Sequence, residues 1–232
     1  MHWLIVGGGA IGTALGRTLS EQGDSADLVS TSDQNGLPDG VTHQQLDSWE
    51  WANVHQCISD LNQLPDRVVI TCGLLWQGEQ QPEKRLEDLT PEHLINSLNA
   101  NTLAPMAVLQ ALTRRLQRQS RLQALVLTAK VGSISDNRLG GWYSYRATKA
   151  ATNMLIRTTA IEWARRFPDC AVGAYHPGTT ISDLSSPFQA RVPEGQLKSA
   201  ADAAQCLCAT MSKVSPATTG QFWNWDGSTL PW

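Results

Sequence analysis

Tyr145 and Lys149 stand four residues apart in Gly141-Trp142-Tyr143-Ser144-Tyr145-Arg146-Ala147-Thr148-Lys149, so on a helix they share a face one turn apart. A phenol ionises near pH ~10 and exchanges protons at neutral pH only where a neighbouring cation favours its charged form. Lys149 is spaced to be that cation. A core tyrosine beside a solvated lysine would show the same spacing, and such pairs are common by chance.

A second constellation is Gly7-Gly8-Gly9-Ala10-Ile11-Gly12, which fits GxGxxG. It follows the short apolar run Trp3-Leu4-Ile5-Val6 and opens a stretch with apolar residues at helical spacing from Ile11 to Gln22. A strand, a glycine turn and a helix start can seat a pyrophosphate, because side chains there would bar it from the backbone N–H groups and the positive helix end. A purely structural turn is the alternative. The next strand runs out into Ser30-Thr31-Ser32-Asp33. Hydroxyls such as Ser32 suit the 2′-phosphate of NADP, whereas an inward carboxylate at Asp33 would repel it and suit NAD. The balance leans to NADP with NAD possible, and a solvated turn remains an equal reading because Asn35-Gly36 and Pro38-Asp39-Gly40 follow.

The elements that must position these groups are legible as alternation. Short apolar runs at Asp27 to Ser30, Arg67 to Cys72, Leu122 to Thr128 and Ala171 to His176 are separated by helical or loop-like sequence, which predicts a parallel sheet with crossover helices. Helix starts are marked by Thr90-Pro91-Glu92 and Ser199-Ala200-Ala201-Asp202, the latter opening a helix to about Met211, and the Tyr145 helix should end near Arg166. The expected fold is α/β, a doubly wound parallel sheet in three α/β/α layers, formed by residues 1–232 as a single domain. Ligands of such sheets bind beyond the carboxyl ends of the strands.

Composition is consistent with this. The 232 residues carry 18 Lys+Arg against 21 Asp+Glu, a net charge of −3, without basic runs, so neither nucleic acid nor an anionic membrane is an expected partner. Five cysteines, Cys57, Cys72, Cys170, Cys206 and Cys208, include no CxxC pair, which predicts reduced thiols and no metal site. With no signal-like or membrane-spanning run, the expected location is cytoplasmic.

Taken together these motifs resemble the short-chain dehydrogenase/reductase family, in its C-factor-like and carbonyl reductase-like branch. The resemblance runs along the whole chain, from the glycine turn through Asp47, Asn101 in Asn99-Ala100-Asn101-Thr102-Leu103-Ala104-Pro105, Gly132-Ser133-Ile134-Ser135-Asp136-Asn137, Tyr145 to Lys149 and His176-Pro177-Gly178-Thr179 to Phe222-Trp223-Asn224-Trp225-Asp226-Gly227.

The resemblance implies an NAD(P)-dependent oxidoreductase that moves hydride between nicotinamide and a small carbonyl or alcohol substrate. Tyr145 would handle the proton of the substrate oxygen. Lys149 would lower the tyrosine pKa and hold the nicotinamide ribose, and Asn101 would hold a relay water. Gly7, Gly9, Ala10, Ile11 and Gly12 would meet the pyrophosphate and Ser32 the 2′-phosphate, with Cys72 and Gly73 also supporting the cofactor. Asp47 would meet the adenine edge, unless it caps a helix over Ser48 to Ala52. Pro177, Gly178 and Thr179 would face the carboxamide, with Ser182 nearby. Assembly as a homodimer or homotetramer, through the helices bearing Asn101 and Tyr145, is likewise implied.

The chain departs from the family pattern in three places. The glycine turn is tighter by one residue than GxxxGxG, and Ile70-Thr71-Cys72-Gly73 lacks the usual asparagine. Counting back from Tyr145 through Gly132 puts Ala129 in the slot of the catalytic serine, leaving Ser133 or Thr128 to supply a hydroxyl. These departures motivate an alternative, a cofactor-binding regulatory or signalling protein with little or no turnover. Trp142 and Trp76 are placed to line a substrate pocket, and residues about 179–198 form a long, structureless substrate loop.

Overall fold

The computed structural model describes every residue except Gln77, Glu79 and Gln80, together with the side chain of Arg191. Seven parallel strands form one sheet in the order β3-β2-β1-β4-β5-β6-β9: β1 (His2–Val6), β2 (Ser25–Ser30), β3 (Val41–Gln45), β4 (Arg67–Ile70), β5 (Gln123–Leu127), β6 (Ala171–His176) and β9 (Phe222–Asn224). Two short strands, β7 (Thr179–Thr180) and β8 (Leu197–Lys198), pair with each other beside it.

The central strands read as nearly unbroken apolar runs because helices cover both faces. Trp3, Ile5, Leu28 and Leu125 point to α1 (Ala10–Glu21) and α6 (Ala200–Met211), where Leu15, Leu19, Ala204 and Leu207 meet them. Leu4, Val6, Val68 and Val126 point the other way, toward α2 (Trp51–Ser59), α4 (Ala104–Arg115) and α5 (Tyr143–Arg166). On that side Val54, Val108, Ile156 and Trp163 complete the second layer of core. The expected three-layer doubly wound architecture is thus observed. Its order reverses between β1 and β4, where chains leave the sheet in opposite directions and open a crevice.

Both helix starts read from the sequence are capped as expected. Thr90 Oγ1 accepts from His93 N at the start of α3 (Pro91–Leu98), and Ser199 Oγ accepts from Asp202 N at the start of α6. Between α3 and α4 the chain stays helical but loosens into a π turn, Asn99–Leu103, which turns Asn101 and Thr102 inward against α5. The 179–198 segment is not structureless: besides β7 and β8 it holds a 3₁₀ turn, Ser186–Arg191.

Candidate active site

A cleft of about 1580 Å³ runs along the carboxyl ends of β1, β2, β4, β5 and β6. The glycine turn closes one end. Gly7 has φ +118, and its N–H donates to Val29 O at 2.8 Å, tying the turn to β2. The glycines serve different ends. A Cβ on Gly12 would sit 1.9 Å from the Gly7 carbonyl oxygen, and one on Gly8 would strike Ser30 and Gln34, so both are required by the protein's own packing. Gly12 accordingly lies behind the turn and does not line the cleft, contrary to its expected place. At Gly9, the residue preceding α1, a Cβ would meet nothing within 4 Å and would project into the open cleft. A bare backbone facing open space at a helix N-terminus fits a dinucleotide pyrophosphate, and Gly7, Ala10 and Ile11 line the same wall.

Past the end of β2, Thr31 and Ser32 face the cleft, while Asp33 is exposed outside it, which removes the carboxylate from the conflict read in the sequence. Gln34, unnoticed in the sequence, folds back over the turn: Nε2 donates to Gly8 O at 3.2 Å and to Ser32 Oγ at 3.0 Å, and Oε1 accepts from Thr13 Oγ1 at 3.1 Å. Thr13 and Arg17, one turn apart on α1, border the same region. Asp47 does not reach the cleft. It is exposed beyond β3, and it does not cap α2, which begins at Trp51 after Glu50. The nearby Trp49 lines the cleft instead.

Tyr145 and Lys149 open into the middle of the cleft, beside Cys72 and Gly73. The buried Lys149 Nζ donates to Leu127 O at 3.1 Å and lies 5.8 Å from the Tyr145 ring centroid. Burial pulls Lys149 down to about 8, which the nearby Cys72 partly offsets. The tyrosine shift runs opposite to expectation: burial pushes the Tyr145 phenol above its ordinary value. Burial likewise pushes the Cys72 thiol up to about 11, so it stays a neutral thiol.

Asn101 is fully buried and does not line the cleft. Its Oδ1 accepts from Leu74 N at 2.7 Å, and its Nδ2 donates to Leu74 O at 2.8 Å and Thr148 Oγ1 at 3.2 Å. Its main-chain carbonyl accepts from Thr152 Oγ1 at 2.8 Å. The side chain expected to hold a water therefore fastens the segment after β4 to the Lys149 helix. A Cβ on Gly73 would lie 3.2 Å from both Asn101 Oδ1 and Lys149 Nζ, so only glycine leaves the two polar ends uncrowded.

At the end of β5, Thr128 and Ala129 line the cleft and Ser133 does not. Ser133 Oγ accepts from Asp136 N at 3.2 Å within a buried turn, which takes it out of reach as the replacement hydroxyl. Thr128 Oγ1 is buried without a partner. Across from it on β6, His176 Nδ1 is also without a partner, and burial pulls this imidazole down to about 4, so it is neutral. Pro177, Gly178, Thr179 and Ser182 line the cleft. So does Thr180, missed in the sequence, whose buried Oγ1 has no partner. Orphaned donors and acceptors at Thr128, His176 and Thr180 fit a polar carboxamide group at this edge.

The far end is aromatic. Trp142 lines the cleft with φ +54 and packs on Tyr145 at 6.2 Å and Phe188 at 4.9 Å between centroids. Trp76 does not line the cleft but donates from Nε1 to Leu184 O at 3.0 Å, holding the 3₁₀-bearing segment over the site.

Known proteins place this arrangement. The family model described as short chain dehydrogenase matches residues 2–192. Among relatives, the 1-hydroxy-2-glutathionyl-2-methyl-3-butene dehydrogenase of Rhodococcus sp. (strain AD45) is 29% identical over 167 residues, covering 72% of this chain and 68% of that protein. The C-signal protein of Myxococcus xanthus is 26% identical over 147 residues, 63% of this chain and 83% of that one. The carbonyl reductase Sniffer of D. melanogaster superposes with a TM-score of 0.83 at 18% identity, with 100% of both chains covered. The NADPH-bound carbonyl reductase from chicken fatty liver gives 0.81 at 17% identity over 99% of this chain and 98% of that one. A family match spanning most of the chain, on a sheet of this order with its tyrosine and lysine in one cleft, makes this protein a member of the short-chain dehydrogenase family, an oxidoreductase.

Proposed function

We propose that the protein is an NADP-dependent reductase of a small carbonyl compound, working reversibly on the corresponding alcohol. The observation that carries this reading is that Tyr145 and Lys149 open into the same cleft as the bare Gly9 backbone, with neutral hydroxyls and Arg17 rather than Asp33 at the Ser32 end. Bound along that cleft, the dinucleotide supplies the hydride.

The remaining chemistry falls to side chains. The Tyr145 hydroxyl, held protonated by burial, donates its proton to the carbonyl oxygen as the carbon is reduced. Lys149 holds the nicotinamide ribose and, as an ammonium, steadies the phenolate left behind. Asn101 keeps the β4 edge and α5 in register beneath both groups. Thr128, His176, Thr179 and Thr180, which line one edge of the cleft, would hold the carboxamide, and Thr13, Arg17, Thr31 and Ser32 would hold the 2′-phosphate. Trp142 and Phe188 give the substrate an apolar wall.

A second reading, a cofactor-binding regulator with little turnover, is favoured by Ala129, since neither it nor the turn-bound Ser133 offers a hydroxyl to the carbonyl oxygen. Among the described residues no helix is long and apolar enough to cross a membrane. Five free thiols support a cytoplasmic location. Exposed Met154 and Leu155 on α5 support pairing with a second copy, as a homodimer or homotetramer.

Titration with NADPH and with NADH, followed by tryptophan fluorescence and then by a panel of aldehydes and ketones, tests the proposal. Tighter NADPH binding with turnover is expected. Tight binding without turnover would leave the regulator, and binding of neither nucleotide would remove both readings.

A further inference from the structure

Glu83 is a carboxylate with its side chain 1% exposed, more than sixty residues before Tyr145 in sequence and outside the cleft lining. A buried carboxylate persists only where its oxygens are fully engaged. Here Oε2 accepts from Ser144 N at 3.2 Å, Oε1 accepts from Ser144 Oγ, and His93 Nδ1 on α3 lies 3.1 Å from Oε1. The backbone of the same residue accepts from Trp142 N at 2.5 Å. Glu83 thus grips the residues at the start of α5, where unpaired N–H groups and the helix dipole favour a negative charge.

What it grips matters more than the capping itself. Trp142 does not provide a side-chain cap for α5, and its left-handed backbone, rarely adopted by a residue with a bulky side chain, needs outside support. That backbone aims the indole onto Tyr145 and Phe188. Ser144 is the residue immediately before Tyr145.

We propose that Glu83 is a positioning residue that sets the Tyr145 hydroxyl and the Trp142 wall in place, with His93 and Ser144 completing its hydrogen bonds. It acts at the substrate end of the cleft and leaves the dinucleotide end untouched. The proposal rests on the reductase reading for its kinetic consequence, though not for its structural one.

The test compares full-length Glu83→Ala, Glu83→Gln and Ser144→Ala proteins. For Glu83→Ala, kcat should fall roughly ten- to a hundred-fold and the carbonyl KM should rise, because small displacements of reacting groups are costly. NADPH affinity by fluorescence should stay within about two-fold. Glu83→Gln keeps a hydrogen-bonding side chain of the same shape and should recover most of kcat. Amide hydrogen exchange is read in parallel and needs no turnover: residues 142–147 should exchange faster in Glu83→Ala while the β1 turn does not change. Unchanged kcat together with unchanged exchange overturns the proposal. So does a parallel loss of NADPH affinity and kcat that glutamine does not rescue, which marks a general folding role. If Glu83→Ala does not fold, Ser144→Ala carries the same readouts: a fall in kcat at constant NADPH affinity supports the proposal, and wild-type kinetics and exchange overturn it. A wild-type protein without turnover would sink the reductase reading and leave the exchange result to decide this one.

Discussion

Asn101 clasps Leu74 from both sides, its amide oxygen accepting from the Leu74 N–H and its amide nitrogen donating to the Leu74 carbonyl. Replacing it with alanine leaves two backbone groups unpaired beside a buried void. Asn101→Ala should lose about 2–4 kcal/mol of stability in denaturant melts. Asn101→Asp should also be destabilised, since a carboxylate oxygen would then face the Leu74 carbonyl; a neutral result for both would show that this clasp is dispensable.

Tyr145→Phe removes the proton donor and little volume. Turnover should drop by about 10²–10⁴-fold while NADPH affinity, measured by fluorescence, is retained.

The pH dependence has a definite sign. Burial holds the Tyr145 phenol protonated and ready to donate through neutral pH. Lys149 is pulled down to about 8, so its ammonium is present below that pH and lost above it. Because kcat/KM reports groups of the free enzyme, its value for carbonyl reduction should be level on the acid side and fall as pH rises through about 8. A profile that climbs through that region would contradict the assignment.

Ala129 occupies a cleft-facing position at the end of β5 where a hydroxyl would help polarise a carbonyl. Ala129→Ser should raise kcat for reduction by about ten-fold or more if the added hydroxyl reaches the substrate oxygen. Ser133→Ala should act on stability instead, by about 1 kcal/mol, because its Oγ serves the Asp136 N–H. Steady-state kinetics and melts on the two variants separate these effects.

Gly9 and Gly12 should fail differently when given a methyl group. Gly9→Ala should fold normally and lose dinucleotide affinity, as its Cβ enters open cleft; Gly12→Ala should be destabilised, as its Cβ would overlap the Gly7 carbonyl. Thermal melts beside NADPH titrations distinguish the two.

The parts of the fold that are local in sequence were legible. The glycine turn, the Thr90 and Ser199 caps, the span of β6 and the end of α5 at Arg166 all follow from short-range patterns. The edge strand β3 was not among the apolar runs, because Thr42, His43, Gln44 and Gln45 carry polar side chains that an edge position tolerates. The three-residue β9 is too short to show a period. Within the site, spacing put Tyr145 and Lys149 on one helix face, the family resemblance pointed to Cys72, Gly73 and the Pro177-Gly178-Thr179 turn, and all of these line one cleft. The residues misplaced or overlooked are those whose direction depends on how a turn or loop folds or on distant contacts. Ser133 and Ala129 differ by which side of a turn they face, Asp47 by where a loop leaves the sheet, and Gln34 and Glu83 by partners far along the chain. Spacing carries no signal for such pairings.

The π turn at Asn99–Leu103 gives the site an unusual sensitivity to chain length. A wide turn is one extra residue accommodated in a helix, and each helical residue advances the phase by about 100°. Deleting a single residue there would let α3 and α4 fuse into one regular helix. The buried row Ala104, Ala107, Val108 and Ala111 would then keep its alignment, while the Asn101 clasp, which depends on the widened turn, would not. Between the two helices such a deletion is therefore a graver change for the cleft than most substitutions, because it leaves the core of that layer in phase and removes the turn that fastens the segment after β4.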